Sequence, residues 1–134
     1  MNEYLKAVLN WGFEQGVGYQ LCYMLSPVTP SGSNPKSKTV VINMNWHDPA
    51  QLPYQAAHEI GHVLNQDSGS LYMFTPSKVR YEGEANKRAI DILVPIYFED
   101  VYPEDANIQE FLDSFHIPEK MRDWATDIIR KYYA

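Results

Sequence analysis

The period of the apolar positions changes along the chain, and each change marks an element. From Glu3 to Glu14, Leu5, Val8, Leu9 and Phe13 recur at the spacing of one helical face, and Gly16-Val17-Gly18 breaks the pattern. Tyr19 to Leu25 reads as a strand, and so does the β-branched run Thr39 to Met44. Between them, Ser26 to Lys38 is so rich in Pro, Gly, Ser and Asn that regular structure is not expected. Residues 26–38 are therefore predicted to be a flexible loop, with the two strands pairing antiparallel across it.

Beyond Met44 the helical period returns. It predicts helices over Pro53 to Asn65, over Arg80 to Val94 with Pro95 as the stop, over Asp105 to Phe115, and a last one with Pro118 at its first position. A helix, a small antiparallel sheet and then a mainly helical remainder predict an α+β fold. The 134 residues, 45% hydrophobic and 21% charged, suit one domain spanning 1–134 whose C-terminal helical pair occupies 104–134.

Charge and cysteine content narrow the chemistry. Eleven Lys and Arg against seventeen Asp and Glu give a net charge of -6, which disfavours direct nucleic-acid binding. No apolar run is long enough to span a bilayer and the start lacks a secretory pattern, so a cytoplasmic protein without a membrane partner is expected. The single cysteine, Cys22, allows no internal disulfide and no multi-thiolate site, so any metal would rest on His and carboxylate. Ile108, Phe111, Leu112, Phe115 and Ile117, followed by Met121, Trp124, Ile128 and Tyr132, have the outline of a helix-turn-helix. Seven acids against four bases from Glu104 onward favour packing and partner docking there, with exposed Trp and Tyr as the anchor.

The segment Ala57-His58-Glu59-Ile60-Gly61-His62 contains H-E-x-x-H. Residues four apart share a helical face, so the two imidazoles can hold one tetrahedral ion. With His58 as origin, His62 falls at about 40° and Glu59 at about 100°, while Ala56, Ala57, Ile60, Val63 and Leu64 fill the opposite arc. A hydrolytic zinc site needs a third protein ligand and keeps the fourth position for water. Glu84 shares a charged arc with Lys87, Arg88 and Asp91 and is explained by solvent ion pairs. Glu82 instead lies in an apolar arc with Ala85, Ala89, Ile90, Ile92 and Leu93, pointing inward, where a dication would keep it ionised. Asn86, one turn on, is placed to hydrogen-bond a ligating imidazole.

These residues carry a resemblance. His58-Glu59-Ile60-Gly61-His62, then Glu82-Gly83-Glu84-Ala85-Asn86 and Ile92-Leu93-Val94-Pro95, resemble the ImmA/IrrE family of gluzincin-type metallopeptidases found in phages, integrative elements and bacterial stress regulators. The likeness spans Thr39 to Pro118. It departs where the family has Phe-Ala after the Asn and Leu-Met-Pro at the helix end, here Arg88-Ala89 and Leu93-Val94-Pro95. It implies a zincin-like core holding one Zn²⁺ on His58, His62 and Glu82, with Glu59 as catalytic base. Tyr54, Tyr72, Tyr81 and His47 are the candidates for stabilising the oxyanion, and the sequence does not choose among them. An exposed edge of the Thr39–Met44 strand would hold an extended protein substrate.

The family further implies a regulatory client, a helix-turn-helix repressor encoded nearby. The alternative is a non-catalytic, zinc-stabilised antirepressor or antitoxin-like binding module, which keeps the ligands but does not need Glu59 as a base.

Overall fold

The computed structural model describes residues 1–65 and 77–134, with the backbone alone for 77–81. It opens with α1 (Glu3–Glu14), whose first amides are capped by the Asn2 side chain, at 2.7 Å from Tyr4 N and 3.1 Å from Leu5 N. Three strands follow, β1 (Gly18–Cys22), β2 (Gly32–Asn34) and β3 (Thr39–Asn43). Then come α2 (Leu52–Leu64), α3 (Ser77–Tyr97), α4 (Ile108–Ser114) and α5 (Arg122–Tyr133). The α+β class is as the pattern predicts.

The sheet differs from the expectation in topology. Its order is β1-β3-β2, with β1 parallel to β3 and only β2 antiparallel to it. The stretch read as wholly irregular supplies β2, which takes the antiparallel place beside β3. Asn34 makes the turn possible, because its Oδ1 accepts from Lys36 N and Ser37 N at 3.1 and 3.3 Å and reverses the chain into β3. The first strand consequently ends at Cys22 rather than Leu25.

The connection from β1 to β2 is tied down from beneath. Asn43, fully buried, donates through Nδ2 to Ser26 O at 2.8 Å and Thr29 O at 2.6 Å, and its own N–H donates to Ser31 Oγ at 3.0 Å. Asn45 Nδ2 donates to Leu25 O at 2.7 Å. These bonds satisfy loop carbonyls that a sheet would otherwise have taken.

Helix α2 lies at the centre, against α1, β2, β3 and α3. Its Ala56, Ala57, Ile60 and Val63 are buried in a core shared with Leu5, Val8 and Leu9 of α1, Val40 and Ile42 of β3, and Ala89, Ile90 and Leu93 of α3.

Pro95 does not end α3, which runs on to Tyr97. Losing one amide donor there is outweighed by what the extra turn delivers: Tyr97 and Phe98 pack edge-on or tilted against Phe111, with ring centroids 5.3 and 5.5 Å away. The predicted Asp105–Phe115 helix is instead a 3₁₀ turn at Pro103–Asp105 and then α4, capped by Asn107. Pro118 precedes a 3₁₀ turn, Glu119–Met121, before α5.

The tryptophan of the C-terminal pair is not a free anchor. Trp124 Nε1 donates to Asp91 Oδ1 and Lys87 O of α3, at 3.1 and 3.2 Å, and Tyr133 Oη donates to Val101 O at 2.7 Å. Among the described residues no helix is long and apolar enough to cross a membrane.

Candidate metal centre

Helix α2 carries His58 and His62 one turn apart, and their rings meet edge to face with centroids 4.7 Å apart. Helix α3 crosses beside them and brings Glu82. One carboxylate oxygen stands 3.0 Å from His58 Nε2 and the other 2.9 Å from His62 Nε2. The two helices approach this closely because Gly61, between the histidines, has no side chain to hold them apart. His62 is almost wholly buried, at 2% exposure. The Glu82 side chain is 42% exposed, so it does not point into the core as its apolar arc suggests; it stands at the mouth of the cleft, where the buried stripe of α3 begins.

The donor set fits a divalent ion. The candidate ligand atoms of His58, His62 and Glu82 all lie within 4.8 Å of one another. Tetrahedral zinc, with bonds of about 2.0–2.2 Å, separates its ligands by roughly 3.3 Å, so small side-chain adjustments bring all three into range. Both imidazoles hydrogen-bond the Glu82 carboxylate and hold it ionised, well below the usual carboxylate range, against an opposing cost of burial. An ionised carboxylate and two neutral imidazoles are the forms that bind such a metal.

Glu59 is the fourth member. Its Oε2 is 3.9 Å from His58 Nε2. Burial pushes its carboxyl upward, opposed first by the two imidazoles, reinforced by the nearby Glu82 charge, and opposed again by a hydrogen bond from Ser33 of β2. The four residues line one wall of a cleft of about 480 Å³ whose other walls are Pro30, Ser31, Gly32, Ser33, Trp46 and Gln55.

Several of these were not anticipated. Gln55 extends the His58, Glu59, His62 stripe one turn backward, and helical spacing alone could have found it. Ser33 could not be found, since it lies in a stretch read as loop. The wall strand is β2, not the Thr39–Met44 strand: β3 is paired on both sides and has no free edge.

The oxyanion candidates separate. Tyr54 is buried in the core, its phenol pushed upward by burial and its Oη without a hydrogen-bond partner among the described residues. His47 is exposed and stacks on Trp46 with centroids 4.4 Å apart. Tyr72 and the Tyr81 side chain lie outside the described residues. Asn86 is half-buried on α3 and makes no hydrogen bond among the described residues.

Two histidines on one helical face, closed by a glutamate from α3, define a candidate His₂Glu metal site with a second glutamate, Glu59, beside it. Residues 15–121 match the sequence profile of peptidase family M78, the IrrE N-terminal-like domain, and the chain belongs to that family. No curated protein and no solved structure matches it.

Proposed function

We propose that the protein is a zinc-dependent endopeptidase that cleaves a regulatory protein, with a helix-turn-helix repressor as client. The observation that carries the reading is the convergence of His58, His62 and Glu82 from two helices on one point, with Glu59 beside them on the wall of a cleft edged by a strand.

His58, His62 and Glu82 would hold the ion. Bound there, zinc supplies a Lewis acid that polarises a peptide carbonyl and acidifies water. Glu59 Oε2 takes the proton of the attacking water and passes it to the departing amine. Burial suits it to this, because a carboxylate made more basic is the better acceptor. Ser33 of β2 lines the same cleft as Glu59. β2, paired with β3 on one side only, offers its other edge to an extended segment, whose main chain would add as a further strand while the cleft takes the side chains.

The test pairs metal analysis with two substitutions, assayed against the repressor encoded beside the gene. Wild type and Glu59→Gln should carry stoichiometric zinc and His58→Ala should not. Repressor cleavage should be abolished in His58→Ala and reduced by about 10² to 10⁴ in Glu59→Gln. Full effect from Glu59→Gln alongside loss in His58→Ala would instead make the site a structural metal in a binding module.

A further inference from the structure

The sheet has two edges, and only β2 belongs to the cleft; β1 forms the other. The parallel register fixes which backbone groups β1 uses on β3. Gly18 N donates to Lys38 O at 2.9 Å, and Cys22 O accepts from Met44 N at 2.7 Å. Gly18, Gln20 and Cys22 therefore face β3, and by the two-residue alternation of a strand Tyr19 and Leu21 turn their N–H and C=O groups to the opposite side. Among the described residues nothing hydrogen-bonds to those four groups.

Edges of this kind are ordinarily guarded by lysine, proline or a bulge. β1 reads Gly-Tyr-Gln-Leu-Cys and has none of these guards. From Gln15 to Pro35 the chain has no Asp, Glu, Lys, Arg or His, although the whole protein carries a net charge of -6. Tyr19, Tyr23 and Met24 stand exposed along the same segment, Met24 at 95%.

We infer that the β1 edge is a self-association surface whose occupant is β1 of a second copy of this chain. Two such strands laid antiparallel about a two-fold axis at Gln20 set Tyr19 of each copy opposite Leu21 of the other. All four unused groups on each strand are then spent in the closely spaced hydrogen-bonded pairs of an antiparallel ladder. Charge favours the same partner: two molecules of net charge -6 repel over most approaches, and the uncharged 15–35 segment is where that repulsion is least. The product is a six-stranded sheet with both β2 strands at its outer ends, so both metal clefts stay open. One short strand pair with a few flanking side chains is a small interface of the weak, reversible class, so association is concentration-dependent.

Sedimentation velocity over a micromolar concentration series tests this, together with amide hydrogen exchange at its two ends. Tyr19→Pro deletes an outward N–H while leaving the bonds to β3, and Tyr19→Lys keeps that N–H but puts a charge on the edge. The expected result is a wild-type dimer in which the Tyr19 and Leu21 amides exchange faster on dilution. Both variants should raise the dissociation constant by about tenfold or more. Circular dichroism confirms their fold, and Tyr19→Lys decides alone if the proline variant unfolds. A wild type that stays monomeric overturns the inference, as does a dimer indifferent to the substitutions or protection of those amides that is independent of concentration.

Discussion

Gly61 lies against the Ala85 carbonyl so closely that a Cβ built on the glycine would stand 3.2 Å from that oxygen and 3.1 Å from the Arg88 Cβ. This contact sets the spacing of α2 and α3, and with it the reach of Glu82 to His58 and His62. Gly61→Ala should therefore act on the metal site more than on the fold. Alanine gains about 1 kcal/mol of helix propensity over glycine, which offsets much of the crowding. A backbone carbonyl cannot swing aside as a side chain can, so α3 must move by tenths of an ångström. The expected outcome is a melting temperature close to wild type and a zinc affinity lowered by about tenfold, as for other losses of ligand positioning, measured by chelator competition. Unchanged affinity would mean that the glycine does not set the ligand geometry.

Tyr54 presents the opposite situation, a polar atom without a role that the fold reveals. Its buried Oη makes no hydrogen bond among the described residues, and such a group costs about 1–3 kcal/mol. Tyr54→Phe should raise the melting temperature by a few degrees and leave peptidase activity unchanged. Loss of activity with the fold intact would return Tyr54 to the oxyanion role that its place one turn before His58 suggests. Thermal denaturation and a cleavage assay on the same preparation separate these outcomes.

The parts of the site legible in the sequence are those written in helical period. His58, Glu59 and His62 follow from one spacing, and Glu82 from phase against Glu84, which is exposed as its charged neighbours imply. Phase failed on how deep Glu82 sits, because an arc gives a direction around the axis and not the point along it where a neighbouring helix ends. The sheet was less legible. β2 has only Gly32, Ser33 and Asn34, none a strong strand former, and it exists because β3 offers an edge and Asn34 a turn. That tertiary cause leaves no local periodicity to read, and without β2 the parallel pairing of β1 and β3 has no evident reason. Pro95 misled for a similar cause: its local rule is sound, but the aromatic packing of Tyr97 and Phe98 overrides it.

Asn43 supports the cleft wall from behind. Its two amide hydrogens are spent on Ser26 O and Thr29 O, just ahead of Pro30 to Ser33, which line the cleft with His58, His62 and Glu82. Asn43→Ala leaves two carbonyls without donors and should destabilise the fold by about 1–3 kcal/mol. Asn43→Asp should be worse, since it sets a carboxylate against two carbonyl oxygens. In both, KM for a protein substrate should rise more than kcat falls, because His58, His62 and Glu82 are carried by α2 and α3 rather than by this wall. A fall confined to kcat would show that the wall positions Glu59 rather than the substrate.

The last prediction concerns pH and lies away from the candidate metal site. Asp91 of α3 accepts the Trp124 indole hydrogen bond that docks α5. Burial raises its carboxyl above the ordinary value, and the Trp124 hydrogen bond and the Arg88 and Lys131 charges only partly oppose that. A carboxyl that holds its proton more tightly when folded stabilises the fold least when ionised. Its contribution falls as pH rises from the unfolded to the folded value and stays low above it. Asp91→Asn keeps an oxygen for Trp124 and removes the charge. The variant should match wild type at acidic pH and melt higher at neutral pH, the gap opening through the carboxylate range. If instead wild type is the more stable at neutral pH, the attraction of Arg88 and Lys131 outweighs burial, and a melting series across pH 3 to 7 on both proteins reads the sign directly.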